Sequence, residues 1–366
     1  MALQASFFKK TLLFNFRART SRGAMSQKDS WFIKIREENE ADVFGIGEAG
    51  PLPGLSIEWD EAFEIKVAKA VVEFNHLRLS LNSFSENFQD NSQLLLQQLP
   101  GLDRSPSLLY AFETAILDLL HEGHRIIFNT PFTKGTPIPI NGLIWMGGMD
   151  QMLQQIEIKI QEGFNCLKMK VGGIDFEREC DILQYIRRKY FKMDIMLRLD
   201  ANGAFKQDEV RYKLHEFSRF TIHSIEQPLK AGNPLMKDLM KDSPIPVALD
   251  EELIGVHELD RKKELLERIR PAFIILKPSL HGGLSGCDQW IKIAEKMNIG
   301  WWMTSALESN IGLNAVAQFV SKYDNTLHQG LGTGQIYSNN FESPLQVSKG
   351  HLRFDNSLNW TLTENN

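Results

Sequence analysis

The spacing of hydrophobic positions changes character near residue 130. Before it, Leu12 to Arg19 and Trp31 to Glu37 alternate apolar and polar residues, the period of half-buried strands. Between them, Thr20 to Ser26 reads as a small-residue loop with a single arginine. A third strand, Asp42 to Glu48, runs into Gly-Pro-Leu-Pro-Gly-Leu-Ser (Gly50 to Ser56), a stiff apolar loop suited to a pocket lid. The period then lengthens to that of helices. Phe63, Val67, Val71 and Phe74 share one face, and Ser105-Pro106 supplies an N-cap and an N1 proline for a further helix. Its apolar face is Leu109, Phe112, Ile116 and Leu120, and Gly123 is a natural stop. Residues 1–130 therefore predict a small α+β domain.

Asn129 to Pro139, rich in proline, marks a boundary, and beyond it strands and helices alternate. Ile138 to Trp145 is a first strand; Asp150 caps a helix with Leu153, Ile156 and Ile160 on its face, ending at Gly163. Cys166 to Val171 follows as a strand, then a helix striped by Phe176, Cys180 and Leu183. Further strands end at Asp200, Glu226, Asp250 and Lys277, at intervals of 24 to 30 residues counted from Lys170. Trp301 to Ser305 and Leu327 to Leu331 complete the set, the last running into Gly332-Thr-Gly334. That rhythm is one strand, one helix and two loops per step, the repeat of a (β/α) barrel over residues 131–335. The tail, 336–366, holds strand-like pieces at Leu345 to Val347 and His351 to Phe354, too few to fold alone and expected to return to the N-terminal domain.

Composition narrows the functional classes. The 366 residues are 43% hydrophobic and 24% charged, with net charge −5, so no basic field favours nucleic acid or an acidic membrane. Arg187-Arg188-Lys189 and Arg261-Lys262-Lys263 are basic runs on helical patterns, read as solvated faces. The three cysteines are widely spaced without a CxxC pair, which suits a reducing compartment. Lys9 and Lys10 interrupt the apolar start, which has no cleavage site, and no apolar run reaches membrane-spanning length. A cytoplasmic enzyme with a small-molecule partner is expected; oligomeric state is left open.

The candidate chemistry lies between Lys168 and Lys277. Lys168 and Lys170 are two apart on one strand and share a face, with Leu167, Met169 and Val171 directed at the helices. Taken alone, such a pair is a solvated strand face; at a barrel mouth, mutual repulsion and a nearby dication would lower both pKa values toward general-base range. Asp200, Glu226 and Asp250 end successive strands. Singly each is an N-cap, but three converging buried carboxylates call for a cation, and an all-oxygen set suits Mg²⁺. Lys277 ends the sixth strand, roughly across the barrel from Lys170. Amines on either side of a metal suit removal of a proton beside a carboxylate. His223, His281 and His328 are scattered, outside any HExxH pattern, and are read as structural.

These residues resemble the muconate-lactonizing subgroup of the enolase superfamily, over nearly the whole chain. The resemblance implies a (β/α)7β barrel (a modified TIM barrel) with a capping domain. It implies Lys168-Met169-Lys170 as the family's KxK with Lys170 as base, and Asp200, Glu226 and Asp250 as ligands of Mg²⁺, for which Mn²⁺ can substitute. Lys277 falls on the family's opposing lysine. Within the subgroup, Gly45 to Gly54, Arg198 to Gly203 and Thr304 to Asn314 are most similar to the o-succinylbenzoate synthases. That family dehydrates 2-succinyl-6-hydroxy-2,4-cyclohexadiene-1-carboxylate in menaquinone biosynthesis. Ser21, Arg22 and Pro51 to Leu55, including Pro53, resemble its lid; Ser305 and Glu308 resemble its pocket. Arg198 is either a carboxylate-orienting group or a barrel-core ion-pair residue. Asn202 and Glu251 adjoin the ligands as supporting groups.

Alternatives in the same fold are an N-acylamino-acid racemase, a dipeptide epimerase and a muconate-type cycloisomerase. Epimerases that bind a free ammonium need an acid near the eighth strand, and Gly332-Thr-Gly-Gln335 has none. A non-catalytic metal-binding barrel would have lost a lysine or a carboxylate, and this chain keeps each.

Overall fold

The computed structural model describes residues 1–20, 23–40 and 42–362. β1 (Leu3–Thr20) and β2 (Gly23–Glu37) form one long antiparallel hairpin, and β3 (Gly45–Ala49) pairs with β2 in a three-stranded sheet. Both hairpin strands outrun the segments that the alternation predicts. Within Thr20 to Ser26, read as loop, Gly23, Ala24 and Met25 pair instead with Thr20, Arg19 and Ala18, and residues 27–30 pair with Leu13 back to Lys10, a non-local ladder that overrides a weak local pattern. The register slips between Leu13 and Ala18, so residues 14–17 bulge out of the ladder.

α1 (Phe63–His76), α2 (Phe88–Gln98) and α3 (Pro106–Leu120) cover that sheet. Helix α2 has a low apolar content and was not legible in the sequence. Almost every residue of α3 is buried. Leu109, Phe112 and Ile116 pack with Phe63, Val67 and Phe74 in the capping core, while Tyr110 and Leu117 belong to the barrel core. Each fully buried side chain of this size contributes about 1.5–3 kcal/mol, so α3 joins the two cores.

After β4 (Ile138–Pro139), which lies outside the parallel sheet, the barrel is built from β5 (Gly142–Ile144), α4 (Met149–Gln161), β6 (Cys166–Lys170), α5 (Phe176–Lys189), β7 (Met196–Asp200), α6 (Val210–Ser218) and β8 (Ser224–Glu226). It continues with α7 (Leu235–Asp242), β9 (Val247–Leu249), α8 (Leu259–Ile269), β10 (Phe273–Leu276), α9 (Gly283–Lys296), β11 (Gly300–Met303) and α10 (Asn310–Val320). The parallel sheet runs β5 to β11 in sequence order. Gln329 and Gly330 close it, bridging Ile140 on one side and Thr304 on the other. The eighth strand is thus reduced to these bridges.

The tail departs from expectation. β12 (Leu345–Ser348) and β13 (His351–Phe354) form a hairpin that pairs with β4, so it seals the base of the barrel. Its flanks reach the capping sheet: Tyr337 bridges Phe14, and Phe341, Trp360 and Leu362 pack with Phe32 and Ile46. Ile138 and Pro139 extend beyond the residues paired with β6 and offer the hairpin an edge. No helix among the described residues is long and apolar enough to cross a membrane.

Candidate active site

Strand register brings the charged residues together. Lys170 stands opposite Asp200, and Asp200 opposite Glu226; two residues down each strand, Lys168 stands opposite Arg198 and Arg198 opposite Ser224. Alternation sends Leu167, Met169 and Val171 into the hydrophobic layer under the helices. Lys168 Nζ donates to Glu226 Oε2 at 2.5 Å and lies 2.9 Å from Asp200 Oδ2. Lys170 Nζ donates to Asp200 Oδ2 at 2.6 Å and to Asn202 Oδ1 at 2.7 Å. On β10's side of the mouth, Lys277 Nζ donates to the two oxygens of Asp250 at 2.6 and 2.5 Å. Asn202, held at a positive φ of 45°, passes its amide to Glu251 Oε1 at 2.9 Å, linking Lys170 to the loop after β9.

The electrostatics correct one expectation. Burial alone would lower the Lys168 pKa, but the carboxylates of Asp200, Glu226 and Asp250 outweigh it and raise the pKa well above the ordinary lysine value. Its nearest neighbours are anions, not a second ammonium. Burial opposes the charge of Asp200 and Asp250, yet Lys168 and Lys170 hold Asp200, and Lys277 holds Asp250, below the usual carboxylate range. Glu226 goes the other way: burial pushes it up to about 7, with Asp200 and Asp250 adding to the rise against Lys168. Burial, Asp250 and Asp200 likewise raise Glu251.

Among the described residues, no three His, Cys, Asp or Glu side chains stand as a ready-made metal site. Lys168 bridges Asp200 and Glu226 instead, and Lys277 takes both oxygens of Asp250. The donor set still fits a hard dication. All its donors are carboxylate oxygens, and Glu226 Oε1 is buried without a hydrogen-bond partner.

Comparison with known proteins bears on this centre. The family described as Enolase C-terminal domain-like matches residues 151–357. An o-succinylbenzoate synthase of Desulfotalea psychrophila is 40% identical over 366 aligned residues, 96% of this chain and 98% of the relative. The chain belongs to the o-succinylbenzoate synthase family of the enolase superfamily. The crystal structure of MenC from the same organism superposes with a TM-score of 0.85 at 39% identity, covering 96% of this chain and all (100%) of that one. An L-Ala-D/L-Glu epimerase of Bacillus subtilis is a more distant relative, 25% identical over 80% of this chain and 78% of its own.

Around the charged centre of this o-succinylbenzoate synthase family member, the remaining candidates divide. Arg198 lies in the barrel interior at 0% exposure, its guanidinium carbon 3.9 Å from the centre of the Trp302 ring, and Nη1 donates to the His328 carbonyl at 2.7 Å. The residue is in the barrel core but not as an ion pair: Nε and Nη2 are buried without hydrogen-bond partners. Pro53 is exposed; Leu52 and Leu55 of the same loop pack on Leu280, Ala306, Ile254 and Leu307 at the mouth. Glu308 is buried, accepting from Ser279 Oγ and Ser305 Oγ at 2.6 Å each, and Thr333 Oγ1 donates to Ser305 Oγ at 2.8 Å. Ser305 and Glu308 thus brace the loops after β10 and β11. Ser21 and Arg22 lie outside the described residues.

The sequence reading missed several residues that hold this family's mouth in place. Glu48, fully buried at the end of β3, accepts from Ser30 Oγ at 2.8 Å and from the N–H groups of Ser309 and Gly312 at the N-terminus of α10. Lys28 beside it donates to the Leu307 carbonyl at 3.0 Å. Gln227 Oε1 accepts from the N–H groups of Asp250 and Glu252, each at 3.2 Å. A glutamate inside the apolar run Phe44 to Ala49, and a glutamine next to Glu226, were the available signals. A cavity of about 820 Å³ between α2, α8 and α9, lined by Leu96, Lys263 and Met297 among others, lies outside this centre.

Proposed function

We propose that the chain dehydrates 2-succinyl-6-hydroxy-2,4-cyclohexadiene-1-carboxylate to 2-succinylbenzoate. The observation that carries this reading is the contrast between its amines around a floor of carboxylates. Lys168 is clamped by two anions and stays an ammonium. Lys170 is the more open of the pair, with 12% of its side chain exposed against 6% for Lys168, and it is steadied by Asn202.

As a free amine, Lys170 takes the ring proton beside the carboxylate, and the electrons of that C–H bond pass into the carboxylate. The ammonium so formed then protonates the ring hydroxyl on the same face. The C–O bond breaks, water leaves, and the ring becomes aromatic. Lys277, ion-paired with Asp250, stands over the delocalised ring as a cation–π partner. Asp200, Glu226 and Asp250 would hold Mg²⁺, in keeping with the general use of Mg²⁺ in the enolase superfamily, and Mn²⁺ would substitute. When bound, such a dication supplies charge stabilisation for carboxylate oxygens that gain negative charge. Lys168 holds Asp200 ionised and hydrogen-bonds Glu226, keeping both carboxylates in place.

The same amines on opposite faces would serve racemisation of N-acyl amino acids. An epimerase acting on free ammonium groups fits less well: Gly332 to Gln335 lacks an acid, and the Thr333 hydroxyl is spent on Ser305. The deciding experiment is incubation with Mg²⁺ and the cyclohexadiene carboxylate, following loss of its absorbance. Turnover at about 10⁴ M⁻¹s⁻¹ or better is expected. Folded, metal-loaded protein that leaves the substrate intact would transfer the reading to N-acyl racemisation.

A further inference from the structure

His281 lies in the turn joining β10 to α9, four residues beyond Lys277, and is buried. Its Nδ1 accepts the backbone N–H of Lys277 at 3.0 Å, and its own backbone N–H donates to the Lys277 carbonyl at 3.0 Å. One residue therefore holds both main-chain polar groups of the lysine. Burial keeps the ring neutral, its pKa pushed down to about 3, so an accepting Nδ1 places the ring proton on Nε2. Nε2 is buried and has no hydrogen-bond partner. A buried donor left unpaired costs about 1–3 kcal/mol, a cost the imidazole carries while its Nδ1 satisfies the buried Lys277 amide.

The turn itself is closed by other groups. Leu280 N–H donates to the Lys277 carbonyl at 2.9 Å and Gly283 N–H to Pro278 at 2.9 Å. Glu113 of α3 accepts the Leu284 N–H at 2.6 Å and so pins the start of α9. What the imidazole adds is specific to Lys277. β10 ends at Leu276, and Pro278 confines its predecessor to extended backbone, so the Lys277 N–H needs an acceptor from outside the ladder. His281 provides it.

We propose that His281 is a positioning residue: by accepting the Lys277 N–H it sets where the Lys277 ammonium stands, against Asp250 and over the substrate. The proposal rests on the reading of Lys277 as the cation opposite Lys170. It is tested with His281→Leu, which removes the acceptor, and His281→Asn, whose Oδ1 can take the place of Nδ1. Two readouts are taken: steady-state kinetics with the cyclohexadiene carboxylate, and hydrogen exchange at the Lys277 amide in substrate-free protein.

For His281→Leu, kcat should fall about ten- to a hundredfold with KM changed little, as for a small misplacement of a reacting group. Its Lys277 amide should exchange faster. His281→Asn should recover both most of the rate and the protection. A folded His281→Leu protein with wild-type kcat overturns the proposal, as does an asparagine variant with a protected amide that is as slow as the leucine one. Were the leucine variant not to fold, His281→Asn decides alone: near-wild-type kcat is expected, and a rate as low as that of Lys277→Ala refutes it. Were wild-type protein inactive on this substrate, that would count against the dehydration reading only. The kinetic arm would then use N-acyl racemisation, which also needs Lys277, while the exchange arm stands unchanged.

Discussion

Lys168 and Lys170 differ by two positions and by what surrounds their amines. With Lys168 fixed between Asp200 and Glu226, Lys170 is the more exposed of the two, and the chemistry proposed depends on it. Lys170→Arg puts a guanidinium there, which cannot act as a base near neutral pH. Its kcat should fall by about 10²–10⁴, the usual contribution of general acid–base catalysis, with product still bound in a titration. Near-normal turnover would mean that the base is elsewhere. The orphaned Glu226 Oε1 leads to a second expectation. Chelation should abolish activity and Mg²⁺ or Mn²⁺ should restore it; full activity in metal-stripped protein would refute the three-carboxylate reading. The spacing of the lysines and acids was legible because each ends its own strand, where local pattern and barrel topology agree. The bracing residues were not. Glu48 meets Ser309 across 261 positions, and Arg198 has its fate decided by Trp302, which no local pattern reveals.

At the scale of elements, two glutamates of the capping domain reach into the barrel, each at the N-terminus of a helix: Glu48 at α10 and Glu113 at α9. A carboxylate there satisfies amides that the helix cannot, and it meets the positive end of the helix dipole. Glu48→Ala should leave buried N–H groups of Ser309 and Gly312 unpaired and cost about 1–3 kcal/mol or more in urea denaturation; an unchanged midpoint would show that the junction is not held there. Glu113 adds a pH dependence. Burial raises its pKa from 4.5 to about 7, outweighing the hydrogen bonds from Ser92 and from the Leu284 amide. The folded state binds that proton more tightly than the unfolded chain, so the contribution is complete below about 4.5 and is lost as pH rises through about 7. Glu179 and Glu226 titrate in the same window, so the informative quantity is a difference. Between pH 5 and pH 8, roughly the window set by that shift, wild type should lose stability relative to Glu113→Gln; parallel curves would contradict this. The hairpin β1–β2 was legible only in its two most alternating segments. The polar residues between them are strand because their partners lie alongside, a fact of pairing that periodicity does not carry.

For the whole molecule, α3 sets the cooperativity. Its residues are divided between two cores, so the capping domain cannot come away without exposing Tyr110 and Leu117 from the barrel side. Unfolding should therefore be a single transition, with Trp31 of the capping core and Trp290 and Trp302 of the barrel reporting the same midpoint when each is observed alone. Separate midpoints would show two independent units. The strand–helix rhythm made the barrel legible, but its closing edge escaped the pattern: the last strand is two bridges, and the tail hairpin pairs with β4 through contacts more than 200 residues apart in sequence.

The charged groups stand on one unbroken arc, from β6 through the ends of β7, β8 and β9 to the end of β10. β11, the closing bridges and β5 contribute none of them. On the proposed mechanism the circumference divides in labour, one flank moving protons and the other admitting a guest. A descendant could then be retailored to a differently shaped acid by exchanging residues on the second flank and in the loop from Pro51 to Leu55, with the charged arc inherited whole. Kinship across different reactions is the natural outcome of a ring built this way.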